Sequence, residues 1–306
     1  MSDVVLETKL SHKLWRRGKV RDIYELPNKH LLIVATDRIS AFDVIMPNGI
    51  PGKGKALHAL SIHWLQKTQP IIRNHLVASV DDRSMEAVRA ERIDIEFVAR
   101  GYLYGSVWRS YDKGNRVICG VKLPNGLRMA EELPETILTP TTKAEAGHDL
   151  EMSREDALSR HLVTAEEWRV LEEATLKLYE FYKRDAAQRG IIIPDFKLEY
   201  GRLDGGLIQI DEPPTHDSAR FWAKKYYKVG QPQEAHALDK EFLRQYLLKV
   251  GYRGDGPPPT LPPRVVEQIA LRCTGAFEVL TGKASIEKFA LKSVDDVVRE
   301  EKGAGA

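Results

Sequence analysis

Residues 191–222 read IIIPDFKLEYGRLDGGLIQIDEPPTHDSARFW. Asp195, Lys197 and Glu199 alternate with Phe196, Leu198 and Tyr200, and further on Gln209 and Asp211 alternate with Ile208 and Ile210, so two half-buried strands are predicted to form a hairpin. With Asp204-Gly205-Gly206 as a three-residue loop, Leu203 pairs with Leu207 and Glu199 falls directly opposite Asp211. A two-residue loop would set Glu199 against Ile210, a charge against an apolar side chain, and the pattern favours the longer loop. Two carboxylates about 5 Å apart at an effective dielectric near 20 repel by roughly 3 kcal/mol, which a bound proton, Lys197 or a divalent cation would offset. Mg²⁺ suits one or two carboxylates completed by water and phosphate oxygens. The alternative is a solvent-facing polar edge whose charges are screened. Just past the second strand the chain delivers Arg220.

The 306 residues suffice for two domains or one large one. With 42% hydrophobic and 29% charged residues the composition is that of a soluble globular protein. A net charge of +2 supplies no general attraction to nucleic acid or a membrane surface, so an anionic ligand must be gripped locally. Cys119 and Cys273 have no metal-ligand spacing and are expected as buried thiols in a reducing compartment. The opening MSDVVLETKLSHKLWRRGK lacks a signal-like apolar run, and no segment nears 18 uninterrupted apolar residues. A cytoplasmic protein is expected.

The first hundred residues are strand-rich, with strands predicted over 20–26, 31–35, 42–46 and 93–99 and one helix carrying Leu57, Leu60, Trp64 and Leu65. A short helix over 102–111 and a strand over 117–123 follow. Residues 164–189 form the clearest helix: Thr164 and Glu167 make a capping box, Trp168, Leu171, Leu178 and Tyr182 line one face, and Gly190 terminates it. Past the hairpin, Asp239 is predicted to cap a helix stopped by Gly251. GDGPPPTLPPR is a stiff connector, a long amphipathic helix carries Val265, Ile269, Cys273 and Leu280, and the final GAGA should fray. The fold class is α+β, with a strand-rich amino-terminal lobe over 1–100 and a mixed lobe over 101–306 bearing peripheral helices.

GIPGKGKA from Gly49 nearly fits a phosphate-binding loop, but Ala56 replaces the Mg²⁺-holding hydroxyl and Pro47 interrupts the preceding strand. Its glycine turn could still offer amides or Lys55 to an anion. In RRGKVRDIYEL, Lys19 and Arg21 share strand parity behind a glycine turn, as a phosphate-covering loop or a solvated strand edge would. VARGYLYGS brings Arg100 and Ser106 to a strand-to-helix turn, either a phosphate grip or a plain turn. PTTKAEAGHD gathers Lys143, Glu145, His148 and Asp149 in one loop. Zinc-hydrolase and serine-hydrolase signatures are absent from the sequence.

In this order, GKVRDIYE, ATDRISAFD, VARGYLYGS, TTKAEAGHD, IPDFKLEYG, IQIDE and DSARFW closely resemble the SAICAR synthetase family (phosphoribosylaminoimidazole-succinocarboxamide synthases) over nearly the whole chain. The resemblance implies a nucleotide cleft between an amino-terminal lobe like the small lobe of protein kinases and a larger α+β lobe with carboxy-terminal helices packed on it. It also implies joining of the carboxylate of carboxyaminoimidazole ribonucleotide (CAIR) to the amine of L-aspartate, with ATP and Mg²⁺, in purine biosynthesis. A carboxylate is a poor electrophile, so ATP is expected to phosphorylate it before the amine displaces phosphate. That chemistry asks for positioning and charge neutralisation rather than a covalent nucleophile.

By the same resemblance Glu199 and Asp211 hold the metal, and Lys19, Arg21, Lys143 and Glu199 hold ATP. Ser40, Asp43, Arg100, Ser106, Asp217 and Arg220 bind substrate, and Asp195, Lys197 and Asp211 are catalytic. The partners implied are small molecules only, without nucleic acid or membrane, around a monomer or small homo-oligomer. The chain departs from the family's usual T-P-D-S-S-R by its doubled proline and by His216 in place of proline. Two other readings are a Mg²⁺-ATP small-molecule kinase and a nucleotide- or RNA-binding protein without catalysis. Aspartate dependence separates the first from a ligase, and the near-neutral charge argues against RNA.

Overall fold

Why one face of the hairpin strand is apolar and the other charged is plain in a computed structural model that describes residues 4–143 and 150–304. Strand Asp195–Leu203 lies between Glu91–Tyr102 and Gly206–Ile210, all antiparallel, with Glu132–Leu138 beyond Glu91–Tyr102. Ile95, Phe97, Ala99, Phe196, Leu198 and Tyr200 share one core with Trp168, Leu171, Leu178, Tyr179 and Tyr182 of the helix Ala165–Ala187. The predicted capping box at Thr164 and Glu167 starts that helix. Side chains of opposite parity on both strands necessarily point away from this core.

A second antiparallel sheet, ordered Lys13–Arg17, Arg21–Glu25, Leu31–Ala35, Ser84–Ala87 and Leu76–Ser79, makes the amino-terminal lobe. The 42–46 strand is instead a hairpin of Arg38–Ala41 and Val44–Gly49, turned through Phe42 and Asp43 with φ of 51° and 63°. The expected division after residue 100 falls inside Glu91–Tyr102, which pairs with the second-lobe strands. Helix Lys53–Thr68 joins the lobes, since Leu65 packs on the first sheet while Leu60 and Trp64 enter the second core. The carboxy-terminal helices Glu241–Lys249, Pro263–Leu280 and Val294–Ala304 pack around Ile39, Met46 and Ile50 of the hairpin.

The register of residues 191–222 differs from expectation. Leu203 pairs with Gly206 and Glu199 with Ile210, so the loop is the two-residue Asp204-Gly205, with φ of 52° and 75°. Both left-handed positions are what the favoured tight hairpin turn requires, and Asp-Gly supplies them at little cost. Turn chemistry outweighs the mismatch of Glu199 against Ile210. Asp211 leaves the ladder altogether, with φ +58°.

Candidate active site

Between the lobes lies a cleft of about 1440 Å³. Lys19, Arg21, Ser40, Asp43, Lys143, Lys197, Glu199, Asp211 and Asp217 line it. Arg100, Asp195, Ser106 and Arg220 form a separate cluster farther along the same strand pair. Glu145, His148 and Asp149 lie outside the described residues.

The polar face of the two central strands organises both groups. Glu199 is paired with Glu96 and Asp195 with Arg100. Lys197 bonds to Glu96 and lies 3.8 Å from Glu199, while Lys143 bonds to Glu199 and lies 3.6 Å from Glu96. Arg21 donates to Asp211 at 2.6 Å and to Glu212 at 2.7 Å. Burial and the neighbouring Asp211 charge push the Glu199 carboxyl up to about 7. Burial would also raise Asp211, but Arg21, Lys143 and Lys197 outweigh it and hold that carboxyl below its ordinary range. The first proton taken up by the pair therefore goes to Glu199. The two carboxylates interact as expected, although the left-handed turn at Asp211, not the ladder, brings them together.

In the second cluster Asp195 is clasped by two guanidinium groups. Arg100 donates to it at 2.9 Å, and Arg220 Nη1 reaches both of its oxygens at 2.9 and 2.6 Å. Arg100 also bonds Thr139 at 2.7 Å and Ser106 at 3.3 Å. Gly105 must be glycine here: its φ is +66° and a Cβ would come within 2.8 Å of Arg220. The unusual 213–220 loop folds on itself through Ser218 Oγ donating to Pro213 O at 2.8 Å and Thr215 N donating to Ser218 Oγ at 3.0 Å, and it delivers Arg220 to Asp195.

Lys19 pairs with Asp43, and Asp217 with the fully buried Lys53 at 2.5 Å. The near phosphate-binding loop is already filled by protein: Asp37 accepts from Gly54 N at 2.8 Å and is held by Arg83, while Lys55 pairs with Asp82. Glu96, Glu212, Lys53, Lys240 and Arg244 were not among the residues expected. Glu96 had a signal, because Arg92, Asp94, Glu96 and Arg100 share one parity of a strand whose other parity carries Ile93, Ile95, Phe97 and Ala99.

The donors fit a hard divalent cation. Glu199 and Asp211 offer carboxylate oxygens that repel each other, and no cluster of three or more His, Cys, Asp or Glu suited to a metal occurs among the described residues. That favours an ion completed by ligand oxygens and water over one caged by protein. The amino-terminal sheet also lends the cleft apolar lining, Ile23, Leu31, Ile33, Val88 and Ala90, interspersed with Glu25, His30 and Arg89.

A sheet lobe over a larger α+β lobe, with a cleft between them lined by apolar side chains, carboxylates and cations, defines a two-lobed nucleotide-cleft enzyme. The chain belongs to the SAICAR synthetase family, which residues 14–259 match. It is 43% identical over 297 residues to the phosphoribosylaminoimidazole-succinocarboxamide synthase of Thermodesulfovibrio yellowstonii, covering 92% of this chain and 100% of that one. The Desulfosudis oleivorans protein of the same name is 44% identical over 285 residues, 88% and 95% of the two chains. The Saccharomyces cerevisiae SAICAR synthase solved with SAICAR superposes with a TM-score of 0.82 at 37% identity, over 92% of this chain and 99% of that one. A SAICAR synthetase solved with ADP gives 0.64 at 25% identity, over 85% and 97%. Among the described residues no helix is long and apolar enough to cross a membrane.

Proposed function

We propose that this chain is an ATP-dependent ligase that condenses CAIR with L-aspartate to give SAICAR, ADP and phosphate, in the cytoplasm and as a monomer or small homo-oligomer. One observation carries the reading in this molecule: Asp195 and Glu199 stand four residues apart on one strand, about 13 Å, the first clasped by two arginines and the second beside two lysines and Asp211. A phosphorylated substrate and a nucleotide can thus be held end to end, with Lys197 between them.

In this reading the base of ATP lies against the apolar side chains of the amino-terminal sheet, and Lys19, Arg21 and Lys143 face its phosphates. Glu199 and Asp211 would hold Mg²⁺, which neutralises phosphate charge when bound. Arg100, Ser106 and Arg220 grip the ribonucleotide phosphate, with Asp195 fixing both arginines, and Ser40, Asp43 and Asp217 complete the substrate wall. Lys197 steadies the substrate carboxylate as one of its oxygens takes the γ-phosphoryl group of ATP and ADP leaves. The aspartate nitrogen, having lost one ammonium proton to solvent, attacks the acyl carbon, the C–O bond to phosphate breaks, and a second proton leaves to solvent, so that the product amide keeps one N–H. We place the ATP-covering lobe before residue 91, where the second sheet begins.

A coupled assay with ribonucleotide, L-aspartate and Mg²⁺-ATP, omitting each in turn, tests this. Product and ADP should appear only when all are present. Full-rate ADP release without aspartate, with no aspartate in the product, would replace the ligase by a kinase.

A further inference from the structure

The turn Gly18-Lys19-Val20 joins the strands Lys13–Arg17 and Arg21–Glu25, and all three of its residues line the cleft. One internal bond closes it, from Gly18 N to Arg21 O at 2.7 Å. The rest of what holds it lies behind it, away from the cleft. Arg38, 5% exposed, donates through Nη2 to Gly18 O at 2.9 Å and through Nε to Lys19 O at 3.2 Å, while Thr36 Oγ1 donates to Val20 O at 2.8 Å. In a trans peptide the carbonyl and the following N–H point in opposite directions. With its carbonyls held on the Arg38 side, the turn aims the N–H groups of Lys19 and Val20 toward the cleft, and neither donates to a protein acceptor among the described residues.

The same guanidinium reaches the amino-terminal arm. Arg38 Nη1 donates to Leu6 O, and Nη2 donates also to Asp22 Oδ1 at 2.8 Å. Asp22 is fully buried and grips the arm in turn, accepting from Thr8 N and Thr8 Oγ1, both at 2.8 Å. Two residues farther out than Leu6 is bonded, Val5 N donates to Asp37 Oδ2 at 2.9 Å and Val5 O accepts from Asp37 N at 2.7 Å. One planar fork therefore holds turn, arm and strand together, a geometry that an ammonium on a flexible stem does not reproduce. None of Leu6, Thr8, Asp22 and Arg38 lines the cleft. Resting on the reading that Mg²⁺-ATP occupies the cleft, we propose that Arg38 is a positioning residue: with Asp22 and residues 5–8 it presets the Gly18-Lys19-Val20 turn for the nucleotide phosphates, so that nucleotide affinity depends on an amino-terminal arm that does not touch the nucleotide.

Equilibrium binding and steady-state kinetics of Arg38→Lys and Thr8→Val in the full chain test the proposal. Arg38→Lys keeps the charge beside Asp22 and loses the fork. It should weaken Mg²⁺-ADP binding in calorimetric titrations and raise KM for ATP, each by about tenfold, as loss of one or two hydrogen bonds does, with KM for ribonucleotide and L-aspartate changed by less than about twofold. Thr8→Val keeps the side-chain shape, removes the hydroxyl contacts to Asp22 and Tyr24, and should give the same selective change at about threefold. It leaves the Thr8 N bond to Asp22 in place, and so gives an answer even where Arg38→Lys does not fold. Unchanged Mg²⁺-ADP binding in the folded variants, or a lower melting temperature with all three KM values rising together, would overturn the positioning role. A parent enzyme that binds no Mg²⁺-ADP would instead overturn the nucleotide reading, before any variant is made.

Discussion

Glu199 lies directly across the ladder from Glu96, and both Lys143 and Lys197 reach the two carboxylates. Like charges in this relation repel, so the lysines are held by two acids that would otherwise push apart. Glu96 touches Lys197 more closely than Glu199 does, and so sets where the Lys197 ammonium stands. Glu96→Gln should lower kcat/KM for the ribonucleotide by about tenfold while the circular-dichroism spectrum and melting temperature stay near the parent's. Parent-like kinetics would mean that Lys197 holds its place without Glu96.

Asp211 supplies a carboxylate that Arg21, Lys143 and Lys197 keep ionised beside Glu199. Arg21 keeps Glu212 at 2.7 Å when Asp211 is neutralised, so Asp211→Asn should fold normally. It should not turn over even at saturating Mg²⁺, and chelation should silence the parent enzyme in the same assay. Near-normal turnover of the variant would remove Asp211 from the metal site.

How much of this was legible in the sequence depends on the distance over which each feature is encoded. Alternation in DFKLEY reports burial on one face of a single strand, so the charged row Asp195, Lys197, Glu199 could be read locally. The partner of Glu199 could not. Glu96 is a hundred residues away, and its pairing follows from a strand register that only the assembled sheet fixes. In the hairpin, the left-handed preference of Asp204-Gly205 decides the register against the opposition of side chains that alternation alone reports. Edge strand Lys13–Arg17, exposed at every position, carries no alternation of burial to detect. Of the final GAGA, expected to fray, Gly303 and Ala304 belong to the helix Val294–Ala304, and the last two residues lie outside the described ones.

Asp195 is 5% exposed at its side chain and neutralises Arg100 and Arg220, which are 10% and 17% exposed. Removing one partner of such a buried cluster leaves charge uncompensated, which costs about 3–5 kcal/mol. Asp195→Asn keeps the shape but turns an amide toward one guanidinium. We expect a stability loss of about that size, seen as a lower urea midpoint with an unchanged slope, together with a raised ribonucleotide KM. A variant as stable as the parent would show that the arginines find other partners.

Glu167 joins the second lobe's main helix to its central sheet. It caps the helix through Thr164, and it receives Arg202 Nε at 2.6 Å and Nη2 at 2.9 Å from the strand Asp195–Leu203. The Arg202 hydrogen bond lowers its carboxyl from 4.5 to about 2, against a smaller opposing effect of burial. A folded-state pKa below the unfolded one means that between these values the unfolded chain binds the extra proton. The stabilisation is therefore full above about pH 4.5 and is lost as pH falls toward 2. With Glu167 22% exposed at its side chain, solvent screening reduces the nominal free energy of the shift to about 1–2 kcal/mol. Glu167→Gln should be less stable than the parent by that amount at pH 7 in urea titrations, and the gap should narrow steadily on acidification through this window. A gap that stays constant from pH 7 to pH 3 would assign the effect to packing rather than to the Arg202 ion pair.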